Sequence, residues 1–321
     1  MNSFNIKKLS TYRPAEGISV KEYDCLRADQ VGTRRQLILE ADSAYDFIEF
    51  TRPTGYVERT DGWLAGTPNR NHSSVDYSSD GWSGTKTYED WLKMLDTGWQ
   101  EGVEKATRMA SKLAPKLLGA KLTNEQKNDY EGDEVNVDLY LEGDPQCMLD
   151  HDDQRKEGNA KFLSVGISVG TSWRISVEAL LWRGIIAAAV VDTLEASGYR
   201  LSVYAYVNTY SKDPCLIVYP IKLEHQVLDL ERVLVLSGHA AVFRRMIFSC
   251  MEKFPESKMR RYFGYNYGKH VGQVPTKELE CDLYIDKDCL ATDEDDAFTR
   301  YIEKLSELPD FHEFLKEERA I

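Results

Sequence analysis

The 321-residue sequence contains no apolar run of the roughly 18 residues that a membrane-spanning helix needs. Its longest apolar segment, residues 184–191, is flanked by Arg183 and Asp192. None of its six cysteines forms a Cys-x-x-Cys pair, and no apolar segment of a secretory signal occupies the first residues. We therefore expect a cytoplasmic protein, without membrane contact, whose cysteines are reduced core residues rather than disulfides or a zinc site.

The sequence also has fewer positively charged than negatively charged residues. The 40 Lys and Arg residues are outnumbered by 53 Asp and Glu, which gives a formal net charge of −13. Nucleic acids and anionic membranes both require positive potential where they are contacted, so the overall composition argues against wholesale binding to either. A local basic patch on an acidic body is still compatible with this charge.

The chain is organised around a strand–helix–strand unit within residues 161–207. Residues 162–168 predict a strand, 176–197 a long helix and 201–207 a second strand, which together make a βαβ unit with a right-handed crossover. The helix is apolar on nearly every side, so we expect it to be buried, with Gly184 allowing close approach to a strand. Ligands of such sheets bind at the carboxyl ends of the strands, which directs attention to the loop that follows Ser168.

The strand predicted at residues 215–221 begins only seven residues after the second strand ends. Seven residues cannot hold a crossover helix, so these two strands are predicted to form an antiparallel hairpin. Residues 1–34 are expected to form an arm or irregular structure. The remaining predictions are helices at 44–50, 88–97, 101–118, 229–236, 239–254, 294–305 and 311–318, and strands at 35–40, 135–141 and 281–285.

A soft boundary near Gly158 divides the chain into an N-terminal α+β region, residues 1–158, with a long loop at 54–84, and an α/β domain, residues 159–321. The two could also form one compact unit. The order of elements after Gly158 resembles von Willebrand factor A-like domains. This resemblance implies an α/β fold with a doubly wound, mostly parallel sheet, in which residues 215–221 form an antiparallel edge strand.

In that family the loop after the first strand carries a D-x-S-x-S metal site. The corresponding stretch here is Ser168-Val169-Gly170-Thr171-Ser172. Ser168 replaces the carboxylate and Gly170 the first serine, so only Ser172 matches. Hard divalent cations prefer anionic oxygen ligands, and the resemblance therefore implies a degenerate site without a metal. Ser237 and Asp286 correspond to the remaining family ligands by position alone.

Three further segments, at residues 82–84, 98–102 and 143–148, are similar to an uncharacterised family of bacteriophage-encoded proteins. The leading hypothesis is therefore a non-enzymatic phage protein-interaction module in the cytoplasm of an infected host cell. It would need no cofactor or metal and would bind another phage or host protein. The predicted interaction loop consists of Ser168, Gly170, Thr171, Ser172, Trp173 and Arg174.

A second hypothesis rests on residues 258–270, which interleave four Lys or Arg residues with four aromatic ones. Aromatic rings can stack on unpaired bases while cations follow the phosphate backbone. The protein would then be an accessory factor in phage transcription or replication that binds single-stranded DNA or RNA. A structured loop covering the end of the sheet is the structural alternative. The predicted contact residues are Lys258, Arg260, Arg261, Tyr262, Phe263, Tyr265, Tyr267 and Lys269.

A third hypothesis is a serine hydrolase, because Gly166-Ile167-Ser168-Val169-Gly170 matches the G-x-S-x-G pattern of a nucleophile elbow. In such an elbow a helix begins at once, whereas here the helix is predicted to begin only at Ser176. The sequence also contains no His-Gly-Gly-Gly oxyanion loop. We therefore expect the protein not to be an enzyme. Triad partners for Ser168 would come from Asp213, Asp229, His239 and His270.

Overall fold

The computed structural model describes residues 5–26, 33–52, 57–58, 68–69, 80–121, 127–129, 134–135, 137–142, 146, 148–150, 161–172, 174–209, 213–254, 261–263, 279–309 and 311. Its strands are β1 (Asn5–Ala15), β2 (Ile18–Leu26), β3 (Thr33–Ala41), β4 (Val57–Glu58), β5 (Pro68–Asn69), β6 (Lys127–Asp129), β7 (Glu134–Val135), β8 (Met148–Asp150), β9 (Lys161–Ser168), β10 (Tyr199–Asn208), β11 (Cys215–Lys222) and β12 (Leu283–Ile285).

Its helices are α1 (Ala44–Thr51), α2 (Asp80–Ser83), α3 (Tyr88–Thr97), α4 (Gln100–Lys121), α5 (Val137–Glu142), α6 (Val177–Ala196), α7 (Leu230–Gly238), α8 (Phe248–Glu252) and α9 (Glu294–Leu305). A π-helical segment, Val242–Ile247, leads directly into α8, and a short 3₁₀ turn, Lys287–Cys289, follows β12.

A seven-stranded mixed sheet forms the centre of the molecule, in the order β1-β2-β3-β11-β10-β9-β12. β9 pairs in parallel with β10 on one side and with β12 on the other. β11 runs antiparallel to β10 and parallel to β3, while β1, β2 and β3 form an antiparallel meander. The predicted α/β class is confirmed, and so is the βαβ unit of β9, α6 and β10. Two smaller sheets pair β4 with β5, and β8 with both β6 and β7.

The predicted antiparallel hairpin is present, but its second strand, β11, is not the edge of the sheet. β3 pairs with the far side of β11, where Leu37 lies opposite Cys215 and Leu39 opposite Ile217. All four side chains are fully buried, so β3 extends the apolar face of the sheet. The expectation of an irregular arm at residues 1–34 was wrong, because β1 and β2 continue the sheet beyond β3. Strands from both sides of the boundary predicted near Gly158 therefore belong to one sheet.

The helices that contribute to the main core pack on one face of this sheet. Alternate strand residues, among them Ile167, Val203 and Ile217, point into that core. α6 lies at its centre and packs against α4, α7 and α9. The predicted doubly wound arrangement, with helices on both faces, is not seen among the residues that the structure describes. On the opposite face the described residues form a smaller buried cluster, made of Ile38, Tyr206, Leu216 and Val218.

The predicted starts of the helices at 44–50, 88–97 and 176–197 agree with the structure to within one residue, and capping hydrogen bonds account for them. The Ser43 hydroxyl accepts a hydrogen bond from the Asp46 amide at 3.0 Å, and the Ser176 hydroxyl accepts one from Ala179 at 3.1 Å. Thr87 forms a capping box at the start of α3, and Gly98 ends that helix with φ of +73°. These caps act within one turn, which is why sequence alone could locate them.

One predicted strand is mostly a helix in the structure, and one predicted helix is divided into two segments. The strand predicted at 135–141 is extended only at Glu134–Val135, and α5 occupies Val137–Glu142. Short apolar alternation is ambiguous here, because Val137 and Leu141 are also four residues apart and share a helical face. The helix predicted at 239–254 is instead the π-helical segment followed by α8.

Among the described residues, no single helix has the length and apolar composition to cross a bilayer. One bent pair, α7 with Val242–Glu252, meets those criteria jointly, with an angle of 61° between its halves. Most of its side chains are buried in the core of the protein.

Candidate functional site at the carboxyl end of the sheet

Residues 169–176, which we call the sheet-top loop, connect β9 to α6 at the carboxyl ends of the parallel strands. β9 has β10 on one side and β12 on the other. The chain therefore passes from β9 to the neighbouring strand on one side, and a later strand, β12, is added on the other side. Open α/β sheets bind ligands at such switch points. The sheet-top loop is therefore the first candidate site.

Most of the predicted interaction residues are buried. Ser168 is 4% exposed and Thr171 3%, and Gly170 is buried as well. These three residues cannot contact a partner in this structure, because the strand end and the first half of the loop are packed inside the protein. Ser172 is half-buried and Arg174 is exposed, whereas Trp173 lies outside the described residues. The accessible part of the predicted loop is therefore its second half.

Ser168 lies beside Tyr206 of β10, since the two residues are partners in the parallel register. The Val169 amide donates to the Tyr206 carbonyl at 2.9 Å, which extends the pairing one residue past β9. Burial raises the pKa of the Tyr206 phenol well above its ordinary value, and the negative charge of Asp286 raises it further. The G-x-S-x-G serine therefore occupies a packed strand end rather than an exposed elbow.

The histidines of the described chain, His225 and His239, do not activate Ser168. His225 is exposed in the turn after β11, and the Nδ1 of His239 accepts a hydrogen bond from the Ala241 amide at 3.1 Å. Asp213, another predicted triad candidate, accepts from the Arg35 amide at 2.8 Å. None of these described residues is therefore placed to act as the general base that a serine hydrolase mechanism at Ser168 would require.

Arg183 of α6 holds the first half of the sheet-top loop. Its Nη1 donates to the Gly170 carbonyl at 3.1 Å, and the side chain is only 3% exposed. Burial lowers the pKa of Arg183 to about 10, so the guanidinium still carries its charge at neutral pH. Its Nε has no hydrogen-bond partner among the described residues. The sequence does contain a signal for this residue, since Arg183 interrupts an otherwise apolar helix.

Arg244 of the π-helical segment holds the other end of the loop. Its Nη2 donates to the Ile175 carbonyl at 2.6 Å, and its Nη1 donates to the Trp82 carbonyl. The guanidinium carbon also lies 5.1 Å from the centre of the Trp82 ring, within the range of a cation–π contact. Burial lowers the pKa of Arg244 to about 10. Two buried cations therefore clamp the backbone at the two ends of the loop.

Arg245, the next residue, fixes the turn between α2 and α3. It donates to the hydroxyls of Thr85 at 2.7 Å and Ser83 at 3.0 Å, and to the Lys86 carbonyl at 2.6 Å. Inserted π-helical turns often occur at functional positions, and here the turn directs two adjacent arginines inward. Both Arg244 and Arg245 are fully buried.

His239 lies between α7 and the π-helical segment, stacked on Trp91 with ring centres 5.3 Å apart. Burial lowers the pKa of His239 to about 4, and the positive charge of Arg245 contributes to this shift. Gly84 lies against the imidazole with φ of +75°, and a Cβ there would be 2.9 Å from the His239 Cε1. His239 is thus a neutral packing residue at neutral pH.

The residues of the sheet-top loop do not suit a divalent cation. The carbonyls of Gly170 and Ile175 already accept hydrogen bonds from guanidinium groups. Asp286, which follows β12, uses its Oδ1 to accept from the Asp288 amide at 3.0 Å and cap the 3₁₀ turn. The described part of the chain has no group of three His, Cys, Asp or Glu residues arranged to hold a metal. Hard cations require anionic oxygen ligands, and the nearby buried charges are positive instead.

The basic and aromatic segment at 258–270 is described only at residues 261–263. The Arg261 Nε lies 2.7 Å from Asp213 Oδ2, and Phe263 packs on Phe254 with ring centres 5.6 Å apart. Tyr262 is fully buried and its hydroxyl donates to Glu22, so Tyr262 cannot stack on a base in this structure. The other predicted contacts, Lys258, Arg260, Tyr265, Tyr267 and Lys269, lie outside the described residues, and for them the nucleic-acid hypothesis stays a prediction.

Comparison with known proteins gives one family assignment. A family model described as "Domain of unknown function (DUF7192)" matches residues 29–313, which is most of the chain. Comparisons with curated proteins and with solved structures gave no match. The matched range includes β3 and every element from α1 to α9, including the sheet-top loop and all three buried arginines. The chain belongs to the DUF7192 family.

Proposed function

We propose that the protein is a non-enzymatic protein-interaction module whose sheet-top loop works without a metal ion. The observation that carries this proposal is the pair of guanidinium groups on the loop backbone, Arg183 on Gly170 and Arg244 on Ile175. A divalent cation among these groups would be repelled by two buried positive charges. Buried charges interact strongly because little water screens them.

A von Willebrand factor A-like relationship is part of the proposal. The βαβ unit, the position of the loop after β9 and the matching Ser172 support it. The internal position of β11 and the helices on one face of the sheet depart from the family pattern. In this proposal the chain retains the ligand-binding end of the sheet. Hydrogen bonds from Arg183 and Arg244 stabilise the loop in place of a metal ion.

The partner would be another phage or host protein that contacts the exposed half of the loop. Ser172 is half-buried, and Arg174 and Ser176 are exposed. A hydroxyl, a guanidinium and the amino-terminal end of α6 favour an acidic or hydrogen-bond-accepting surface on the partner. The rigid anchoring of both loop ends would lower the entropic cost of binding.

The proposal is tested by recovering partners from host-cell extract on immobilised protein, with Mg²⁺ or with EDTA, and quantifying them by mass spectrometry. Recovery should be unaffected by EDTA and should fall about fivefold or more in Arg174→Glu, since charge reversal at an interface typically costs a kcal/mol or more. Arg232→Glu, an exposed residue of α7, is the matched control and should recover the same partners as the wild type. Recovery that needs Mg²⁺, or equal recovery by Arg174→Glu and the wild type, contradicts the proposal.

A further inference from the structure

The sheet face opposite the main core contains a groove of about 700 Å³. It crosses β3, β11, β10 and β9 near the start of β9, and Leu279, Glu280 and Asp282 line one side. The sheet-top loop follows the other end of β9. The groove is therefore a separate surface, and its role does not depend on the function proposed for the loop.

Part of the sheet surface that forms the floor of the groove is apolar. Val218 and Pro220 of β11, Tyr204 of β10 and Leu279 contribute to it, and Phe162 of β9 lies at its edge. Phe162 is 66% exposed, an unusual state for a large aromatic residue of a central strand. Exposed apolar surface of this kind, surrounded by polar residues, marks binding sites for other molecules.

The rim of the groove is strongly acidic. Its lining residues include five carboxylates and one cation, Arg200. Glu40 is paired with Lys21. The other four carboxylates form no ion pair with any residue that the structure describes; they are Asp42, Glu224, Glu280 and Asp282.

Two of these carboxylates are held by serine residues of the sheet. Asp282 Oδ2 accepts from both the amide and the hydroxyl of Ser164, each at 2.7 Å. Glu224 Oε2 accepts from the Ser202 hydroxyl at 2.6 Å, and this bond lowers the pKa of Glu224. These hydrogen bonds hold the two carboxylates in place at the rim of the groove.

We propose that this groove binds a basic, partly apolar segment of a partner protein. Its apolar side chains would cover the floor formed by Tyr204, Val218 and Pro220, while its Lys and Arg side chains would pair with the rim carboxylates. Charge complementarity selects this occupant, since an acidic peptide or a nucleic acid would be repelled by the rim. A volume of this size matches the range of pockets that enclose small ligands or a few residues of a peptide.

The test uses a fluorescein-labelled hexapeptide of alternating lysine and leucine, with binding followed by fluorescence anisotropy. The triple variant Asp42→Asn, Glu224→Gln, Glu280→Gln removes three rim charges and should weaken binding at least about tenfold. The matched control, Asp96→Asn, Glu104→Gln, Glu303→Gln, changes the net charge equally at exposed helical positions and should bind within about twofold of the wild type. Equal weakening in both triples would mean nonspecific attraction to an acidic protein, and would overturn the proposal.

A second pair of variants tests the apolar floor. Phe162→Ala should weaken binding of the same peptide about fivefold, because the ring covers apolar side chains of the ligand. Tyr45→Ala replaces another aromatic residue of similar exposure, 64%, on α1 and should leave binding unchanged. Hexalysine and spermine should compete poorly. Competition by either as effectively as by the lysine–leucine peptide, or absence of peptide binding by the wild type at roughly 50 mM salt, would refute a peptide groove.

Discussion

Gly184 of α6 and Gly238 of α7 face each other at van der Waals distance, and a Cβ added to Gly184 would lie 2.3 Å from the Gly238 Cα. Close approach at Gly184 is expected from the sequence, but the approaching element is a helix and not a strand. The two glycines allow α7 to lie directly on the buried helix at the centre of the core.

We predict that Gly184→Ala lowers the free energy of unfolding by about 3 kcal/mol, because the new methyl group meets backbone atoms that cannot move aside. Gly198→Ala is the comparison: φ is +85° there, but nothing lies within 4 Å of the added Cβ. That substitution should cost about 1 kcal/mol through backbone strain alone. Urea denaturation measures both, and equal effects would show that α6 and α7 are not in close contact.

His239 should make stability depend on pH in a defined window. Its pKa falls from an ordinary 6.5 to about 4 on folding, so between these values the unfolded chain takes up a proton that the folded chain excludes. The stabilisation from neutral His239 is therefore complete above pH 6.5 and is lost as the pH falls toward 4. The expected loss is roughly 3 kcal/mol at the lower end of the window.

The His239→Asn variant isolates this contribution, since its side-chain oxygen can still accept from the Ala241 amide. We expect the stability difference between wild type and His239→Asn to shift by about 2–3 kcal/mol in favour of the variant between pH 7 and pH 4.5. Urea unfolding at several pH values provides the measurement. A difference that is constant with pH would show that His239 titrates normally in the folded protein.

Arg244 should be replaceable neither by an apolar residue nor by lysine. A lysine ammonium cannot donate to the Trp82 and Ile175 carbonyls in the forked geometry of a guanidinium. We predict that Arg244→Lys lowers the free energy of unfolding by about 2 kcal/mol and speeds hydrogen exchange in residues 169–176. The exposed Arg232→Lys serves as control. Unchanged exchange in Arg244→Lys would mean that the sheet-top loop does not depend on this clamp.

The buried hydrogen bond between Tyr262 and Glu22 of β2 can also be tested by substitution. Its hydroxyl donates to the buried Glu22 carboxylate, and burial together with that carboxylate raises the pKa of Tyr262 above its ordinary range. Tyr262→Phe removes one donor from Glu22 and should cost about 1–3 kcal/mol in thermal or urea unfolding. Tyr140→Phe, at a tyrosine that is 63% exposed, should cost nothing measurable. Loss of equal size in both variants would be inconsistent with the buried contact.

The features that sequence predicted best depend on neighbouring residues. The caps at Ser43, Thr87 and Ser176 act within a turn, and a helix that is apolar on nearly every side, as α6 is, could only be buried. The hairpin of β10 and β11 followed from the length of its connection. Each inference used information that is contained in a short stretch of chain.

The features that sequence missed depend on residues far apart. β1 and β2 are strands because β3 offers them an edge, and that edge exists because β3 pairs with β11 more than 170 residues later. The clamp of the sheet-top loop likewise joins Arg183 to Gly170 and Arg244 to Ile175 through the folded core. Arg183 within an apolar helix was the one sequence signal of this clamp, since a buried arginine must find acceptors. The partners it finds are set by tertiary packing.

The central claim is that buried arginine side chains, and not a metal ion, support the sheet-top loop. Titration of the wild-type protein with Mn²⁺, followed by electron paramagnetic resonance of the free ion and by calorimetry, tests it most directly. We predict that the signal of free aqueous Mn²⁺ persists throughout the titration and that no saturable heat is observed. Stoichiometric binding of one Mn²⁺ that is lost in both Ser172→Ala and Asp286→Asn would contradict the account.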